Sequence, residues 1–339
     1  MEQTVSPPPL LDIEALTVRF SSRAGPVHAV SEVSFQIGEG ETLAIVGESG
    51  SGKSTTGLAV MGLLPADRSS HVTGAIWLSS KAGGRKDLLR LTDRERRQVR
   101  GNDVAMIFQD PMSSLNPIYS IGSQIAEAVQ QHRGVTQRDA LVEALHLLTQ
   151  LGIPNPDRIL ASYPHQLSGG MRQRVMIAIA LSCRPRVLIA DEPTTALDVT
   201  IQAQILALLK RLQRETAMAV VFITHNLGVV AEVADQMIVM YAGRVVEAGP
   251  VRSVFKAPRM PYTQALLRSL PRLDNLQQAG TLLEAIPGNV PSALALPSGC
   301  SFHPRCRHHV SGVCDDHVPQ LETYAPERSV RCARWRDVG

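Results

Sequence analysis

Residues 47–54 read GESGSGKS, and the reading of this run decides the fold. Taken alone, three glycines and three serines around one lysine describe flexible linker. The flanks decide otherwise. TLAIV (42–46) before the run reads as a buried strand, and TTGLAVMGLL (55–64) after it reads as a helix. At such a joint, G-x-x-x-x-G-K-[ST] describes a phosphate cradle. Gly47, Gly50 and Gly52 let the backbone curl until successive N–H groups point inward, and the helix N-terminus adds its partial positive charge. Ser49, Ser51 and Thr55 belong to the same cradle. Lys53 is placed to reach the β- and γ-phosphates of a nucleotide, and the Ser54 hydroxyl to ligate Mg²⁺.

The rest of the chain is compatible with such a protein. Its 339 residues suffice for a large domain and a smaller one; 44% are hydrophobic and 19% charged, ordinary for a globular chain. A net charge of +3 does not point to nucleic acid. The longest clean apolar runs, VMIAIAL and AMAVVFI, are far shorter than the roughly 20 residues of a membrane span, so none is expected to cross a bilayer. The N-terminus MEQTVSPPPLLDIEAL has no basic start followed by an apolar core, so no signal peptide and a cytoplasmic location are expected.

Along the chain, IEALTVRF, VSEVSFQI and ETLAIVG read as strands broken by turns at SSRAGP and GEGE. TGAIWL and VAMIFQD follow as strands, and residues 120–182 read as mostly helical, with breaks at GIPNPD and SYPHQLSGG. RVLIADEP is a strand ending in acids. IQAQILALLKRLQRE is a helix with Ile201, Ile205, Leu208, Leu209 and Leu212 on one face. The strand MAVVFITH, a helix over 227–235 and the strands QMIVMYAG and RVVEAG complete an alternation that predicts an α/β fold around a mainly parallel sheet. Beyond about residue 250 prolines become frequent and cysteines appear. The expected division is therefore 1–250 and 251–339.

A nucleotide site needs an acidic half, and VLIADEP supplies one. Asp191 ends an apolar strand and is placed to hold Mg²⁺ through water; Glu192 follows, placed to polarise an attacking water. Further segments narrow the class. LSGGMRQR (167–174) resembles the signature motif of ATP-binding cassette (ABC) proteins, with Ser168, Gly169 and Gly170 opening a helix. FITH carries His225, which the resemblance places on the γ-phosphate. IFQD carries Gln109, the matching Q-loop glutamine, expected to touch Mg²⁺ and sense a transmembrane partner. TALD (195–198) resembles the D-loop, with Asp198 reaching across a dimer. Phe20, 27 residues before Gly47, falls where the family stacks an aromatic ring on adenine. The resemblance implies an ABC-type P-loop fold: a RecA-like parallel core, an antiparallel β subdomain and a helical subdomain. Gln109 and Ser168 are 59 positions apart, which suits a small helical subdomain and leaves no room for a repair ATPase's coiled coil.

FQDPMSSLNPIYSIGSQIAEAV, MPYTQALLRSLP and LPSGCSFHPRCRHHVSGVC look like the ATPase subunits of oligopeptide and dipeptide permeases, so the resemblance spans nearly the full chain. It implies import of di- or oligopeptides driven by ATP with Mg²⁺. The implied partners are a second homologous ATPase subunit or self, two permease subunits and an extracytoplasmic binding protein. The place implied is the cytoplasmic face of the plasma membrane. Nickel or another small solute is the alternative cargo. A soluble ABC ATPase of translation or DNA repair is the alternative class, and neither a tandem cassette nor a basic arm speaks for it. Two positions depart from relatives: Asn226 where an aspartate is usual, and Met260 where many have histidine. Cys300, Cys306, Cys314 and Cys332 run C-x5-C-x7-C-x17-C, soft ligands for iron–sulfur or zinc without paired C-x-x-C knuckles. Nearby histidines leave Zn²⁺ open, and free thiols remain possible on spacing alone; the resemblance implies a [4Fe–4S] cluster. Cys183 reads as core.

Overall fold

The computed structural model describes residues 8–65, 69–81, 83–110, 114–195, 197–269 and 285–338. Residues 1–7 of the N-terminus, residues 111–113 of the FQDPMSS segment and Ala196 of TALD lie outside them. Among the described residues no helix is long and apolar enough to cross a membrane.

Strands β1 (Leu11–Ser22), β2 (Gly25–Ile37), β4 (Ser70–Ser79) and β5 (Arg85–Asp87) form an antiparallel sheet in the order β2-β1-β4-β5. The expected break at SSRAGP shrinks to a hairpin tip. Ser22 pairs with Gly25, whose φ of +122° turns the chain, so both strands run further than their β-rich stretches.

The second sheet holds β3 (Thr42–Val46), β6 (Val104–Ile107), β7 (Val187–Asp191), β8 (Ala219–Thr224), β9 (Gln236–Tyr241) and β10 (Arg244–Pro250), joined by β11 (Glu322–Ala325) and β12 (Arg328–Val330). Its order is β11-β12-β10-β9-β3-β8-β7-β6, parallel from β9 to β6 and antiparallel beyond. Every residue of β3, β7 and β8 is buried, as strands covered on both faces require, which is why they read as unbroken apolar runs.

Helix α1 (Lys53–Val60) follows the glycine loop, and α2 (Asp93–Val99) starts on a Thr92–Glu95 capping box. Helices α3 (Ile121–Arg133), α4 (Gln137–Gln150) and α5 (Pro156–Ala161) build the helical subdomain, and α6 (Gly169–Leu181) returns to the sheet. In α7 (Val199–Thr216) the predicted Ile205, Leu208, Leu209 and Leu212 are buried and Leu206 joins them, while Ile201 is half-buried against Gly170. Then come α8 (Leu227–Val233), α9 (Val251–Lys256), α10 (Pro261–Arg268) and α11 (Trp335–Val338).

The residues beyond 250 extend the sheet rather than standing apart. β12 pairs with β10, and one apolar cluster joins Ala44, Val46 and Tyr241 to Tyr262, Phe302 and Val330. Glu247 of β10 sits beneath this layer with no exposed surface, accepting the backbone N–H groups of Arg259 (2.7 Å) and Met260 (3.1 Å). Burial pushes its pKa up, against the pull of those N–H groups. A carboxyl whose folded pKa is raised opposes folding fully above that value. The opposition is relieved as pH falls toward the ordinary carboxylate pKa of about 4.3. Over that window, stability measured by urea unfolding should fall less steeply with rising pH in Glu247→Gln than in the wild type. Equal slopes would contradict this.

Candidate active site

The phosphate loop is held open from both sides. Gly52 has φ +98°, and a Cβ there would lie 2.4 Å from the Ala29 carbonyl oxygen; one at Gly47 would lie 2.2 Å from that of Met240. Gly50 has open space around it but a φ of +76°, so conformation and not room demands glycine there. Lys53 is buried, and its Nζ donates to the carbonyls of Gly47 (2.8 Å) and Glu48 (2.9 Å). Burial pushes its pKa down, while the carboxylates of Glu192, Asp191 and Glu48 push back. Ser51 is buried beside it, Ser49 is exposed, and Ser54 and Thr55 are half-buried at the start of α1.

The acids arrive from β7. The Ser54 hydroxyl donates to Asp191 Oδ1 at 3.0 Å. Burial raises the pKa of Asp191, and that hydrogen bond opposes the rise. Glu192 turns the chain with φ +46°, left-handed for a residue that is not glycine, and its N–H donates to the Ile223 carbonyl at 2.9 Å. The turn aims its carboxylate at three partners. Gln109 Nε2 (3.0 Å) and Thr195 Oγ1 (3.0 Å) reach Oε2, and His225 Nδ1 lies 2.9 Å from Oε1. Burial works against its charge, but the hydrogen bonds from His225 and Thr195 outweigh it and hold the pKa below the ordinary value.

Gln109, Asp191, Glu192 and His225, scattered over more than a hundred positions, thus meet at the C-terminal ends of parallel strands, beside the loop that follows β3. Oxygen donors at Ser54, Asp191 and Gln109 suit Mg²⁺ chemically. Ser168 and Asp198 stand elsewhere, exposed at the starts of α6 and α7. Ser168 Oγ accepts from Met171 N–H at 3.4 Å and Asp198 Oδ1 from Ile201 N–H at 2.9 Å. Gly169 is exposed and Gly170 packs on Ile201. Phe20 sits half-buried on β1; Ala29 and Val30 of that sheet lie against Gly52 of the loop. Asn226 N-caps α8, accepting from Gly228 (3.0 Å) and Val229 (3.3 Å), a task asparagine and aspartate share.

Sequence reading missed several supporting residues. Nothing in TALD marks Thr195 as a partner of Glu192. Buried Gln173 of α6 donates to the Pro193 carbonyl, tying the signature helix to the turn after Glu192; a polar residue within an apolar helix was its only signal. No local pattern marks Glu48, whose carboxylate accepts from the Arg305 guanidinium and whose N–H donates to the Tyr262 hydroxyl. Cys300, Cys306, Cys314 and Cys332 line one cavity with Met260, Phe302 and His303. Burial raises the thiols of Cys300 and Cys306 and pushes Cys332 up to about 12. Among the described residues no three His, Cys, Asp or Glu side chains are gathered to hold a metal ion. The donor set is right for a soft-metal site, but the sulfurs do not form a ready-made one. Cys183 is buried, as expected of core.

Fold and site together define a P-loop nucleotide hydrolase. Residues 30–195 match the ABC transporter family and residues 246–314 the oligopeptide/dipeptide transporter C-terminal region. A putative peptide import ATP-binding protein of Brucella abortus is 52% identical over 97% of this chain and 98% of its own length. The dipeptide transport ATP-binding protein DppD of Escherichia coli is 49% identical over 95% and 96%. Among solved structures, the dimeric ATP-binding cassette MJ0796 in a post-hydrolysis state, bound to ADP and Pi, is 28% identical. It superposes with a TM-score of 0.62 over 71% of this chain and 99% of that one. The chain belongs to the ATP-binding subunits of the oligopeptide/dipeptide ABC transporter family, and it is an ATPase.

Proposed function

We propose that this chain powers the import of di- and oligopeptides through a membrane permease. One observation carries the reading: a chain with the cassette also bears the oligopeptide-type C-terminal region, in near full-length register with proteins named for peptide import. In this reading residues 1–250 bind and hydrolyse ATP and 251–339 form the family's extension.

The loop from Gly47 to Thr55 takes the phosphates of ATP, with Lys53 on the β- and γ-phosphates. Phe20 stacks on the adenine. Mg²⁺, held by Ser54, Gln109 and Asp191, would neutralise charge on the phosphates. Glu192 polarises the attacking water, and His225, tied to Glu192, holds the γ-phosphate. Ser168, Gly169, Gly170 and Asp198, at exposed helix starts, complete the site of a second ATPase subunit, homologous or identical, packed head-to-tail. Closure and reopening of that dimer drive two permease subunits at the cytoplasmic face of the plasma membrane, with an extracytoplasmic binding protein delivering peptide. Nucleic acid has no part in this scheme.

In the extension, Cys300, Cys306, Cys314 and Cys332, which line one cavity together with His303 and His308, would hold a [4Fe–4S] cluster once their sulfurs draw together; Zn²⁺ is the alternative. The group would staple a proline-rich tail with little core of its own. Anaerobically purified protein should absorb broadly near ~400 nm with about four irons per chain, both lost in Cys306→Ser. One zinc without colour would replace the cluster by zinc, and neither would leave free thiols.

Deleting the coding region should abolish uptake of labelled dipeptide by whole cells and leave nickel uptake intact. The reverse pattern would transfer the cargo to the metal.

A further inference from the structure

We propose that the C-terminal extension sets the position of Lys53 by gripping Glu48, which makes Arg305 and Tyr262 positioning residues for the phosphate site. The inference rests on the assignment of Lys53 to the phosphates.

Glu48 is the second residue of the loop, and its polar groups reach in different directions. The N–H donates to the Tyr262 hydroxyl at 2.9 Å. The carboxylate receives both arms of the Arg305 guanidinium, Nη1 on Oε2 at 2.7 Å and Nη2 on Oε1 at 3.0 Å. The carbonyl accepts from Lys53 Nζ at 2.9 Å. Tyr262 and Arg305 lie 214 and 257 positions away, both within residues 246–314. The Lys53 contact is the one that faces the reaction. Any displacement of Glu48 therefore moves an oxygen that seats the lysine.

The two holders are themselves fixed. The Arg305 side chain is 5% exposed; its Nε donates to the Pro287 carbonyl at 2.9 Å and Nη1 also reaches the Tyr241 hydroxyl at 3.2 Å. Its guanidinium lies 5.9 Å from the ring centres of both Tyr241 and Phe302. The Tyr262 ring is fully buried, 4.6 Å from Tyr241 and 5.3 Å from Phe302. A bidentate fork held in a plane resists rotation of its carboxylate as well as translation. The loop, with glycines at 47, 50 and 52, has few side chains of its own to pack, so this outside grip supplies stiffness the loop lacks.

The test is ATP titration of the full-length chain, with thermal melting alongside. Glu48→Gln and Arg305→Gln should each raise the Kd for ATP about tenfold, and Arg305→Lys, which keeps the charge and loses the fork, about threefold. Added to Lys53→Ala, Arg305→Gln should cost less than about a further twofold, because the coupling ends on that lysine. A purely structural contribution would lower the melting temperature, multiply fully with Lys53→Ala and gain nothing from the lysine variant. Affinities within about twofold of wild type in Glu48→Gln and Arg305→Gln, or an undiminished loss on the Lys53→Ala background, would overturn the proposal. If Arg305→Gln does not fold, Glu48→Gln carries the same cycle, since it leaves Arg305 its Pro287 and Tyr241 contacts. Wild-type affinity in Lys53→Ala would overturn the proposal by removing the phosphate-site assignment itself. That result is distinct from silent Glu48 and Arg305 variants beside a defective Lys53→Ala.

Discussion

Replacing Glu192 by glutamine should slow ATP hydrolysis by roughly 10²–10⁴-fold while leaving ATP bound. The amide keeps the size of the side chain and an oxygen for Gln109 and Thr195, so the turn after β7 retains its shape. What disappears is the negative charge, which burial opposes but the hydrogen bonds from His225 and Thr195 favour, holding the pKa below the ordinary value. An amide cannot polarise water to the same degree. In the proposed site, removing a carboxylate from beside the γ-phosphate would also remove a repulsion, so ATP affinity should hold or improve. Single-turnover phosphate release against equilibrium ATP binding separates the two. Hydrolysis within about tenfold of wild type would place the activating group elsewhere.

Lys53→Ala should lose ATP affinity as well as hydrolysis. ATP affinity should fall by at least about tenfold and hydrolysis by on the order of 10²-fold, since the proposed charge-assisted contact to the phosphates would be lost at every stage. The ammonium also donates to the Gly47 and Glu48 carbonyls, so the loop itself should loosen and the melting temperature drop modestly. The check is ATP titration and hydrolysis on one preparation. Unchanged affinity would take Lys53 off the phosphates of bound ATP, whatever happens to hydrolysis.

The proposed nucleotide site could be suggested from the sequence because its parts are contiguous. A glycine loop between a strand and a helix, two acids closing an apolar strand, and a histidine at the end of another each carry their context in the flanking residues. Strands β3, β7 and β8 could be read for the same reason: burial on both faces leaves an unbroken apolar run. Contacts made only by tertiary folding left no such mark. Nothing around Tyr262 or Arg305 announces that both seize Glu48, because the grip joins positions more than two hundred residues apart. Nor does RSV at 328–330 declare itself the neighbour of β10, being too short to carry a pattern. The left-handed turn at Glu192 is likewise invisible, since glutamate has no local preference for it; β7 and the Ile223 carbonyl impose it. That the cysteines gather in one part of the chain was legible, but their arrangement around the cavity depends on the packing of Phe302, Met260 and the last strands.

The most direct test of the whole account is ATP hydrolysis by the complex that co-purifies with this chain, reconstituted in lipid with its binding protein, with and without peptide. Peptide import predicts hydrolysis that rises when di- or oligopeptide is added, stays flat with nickel, and vanishes in Glu192→Gln. Hydrolysis indifferent to peptide, or recovery of the chain with no membrane partner, would contradict it.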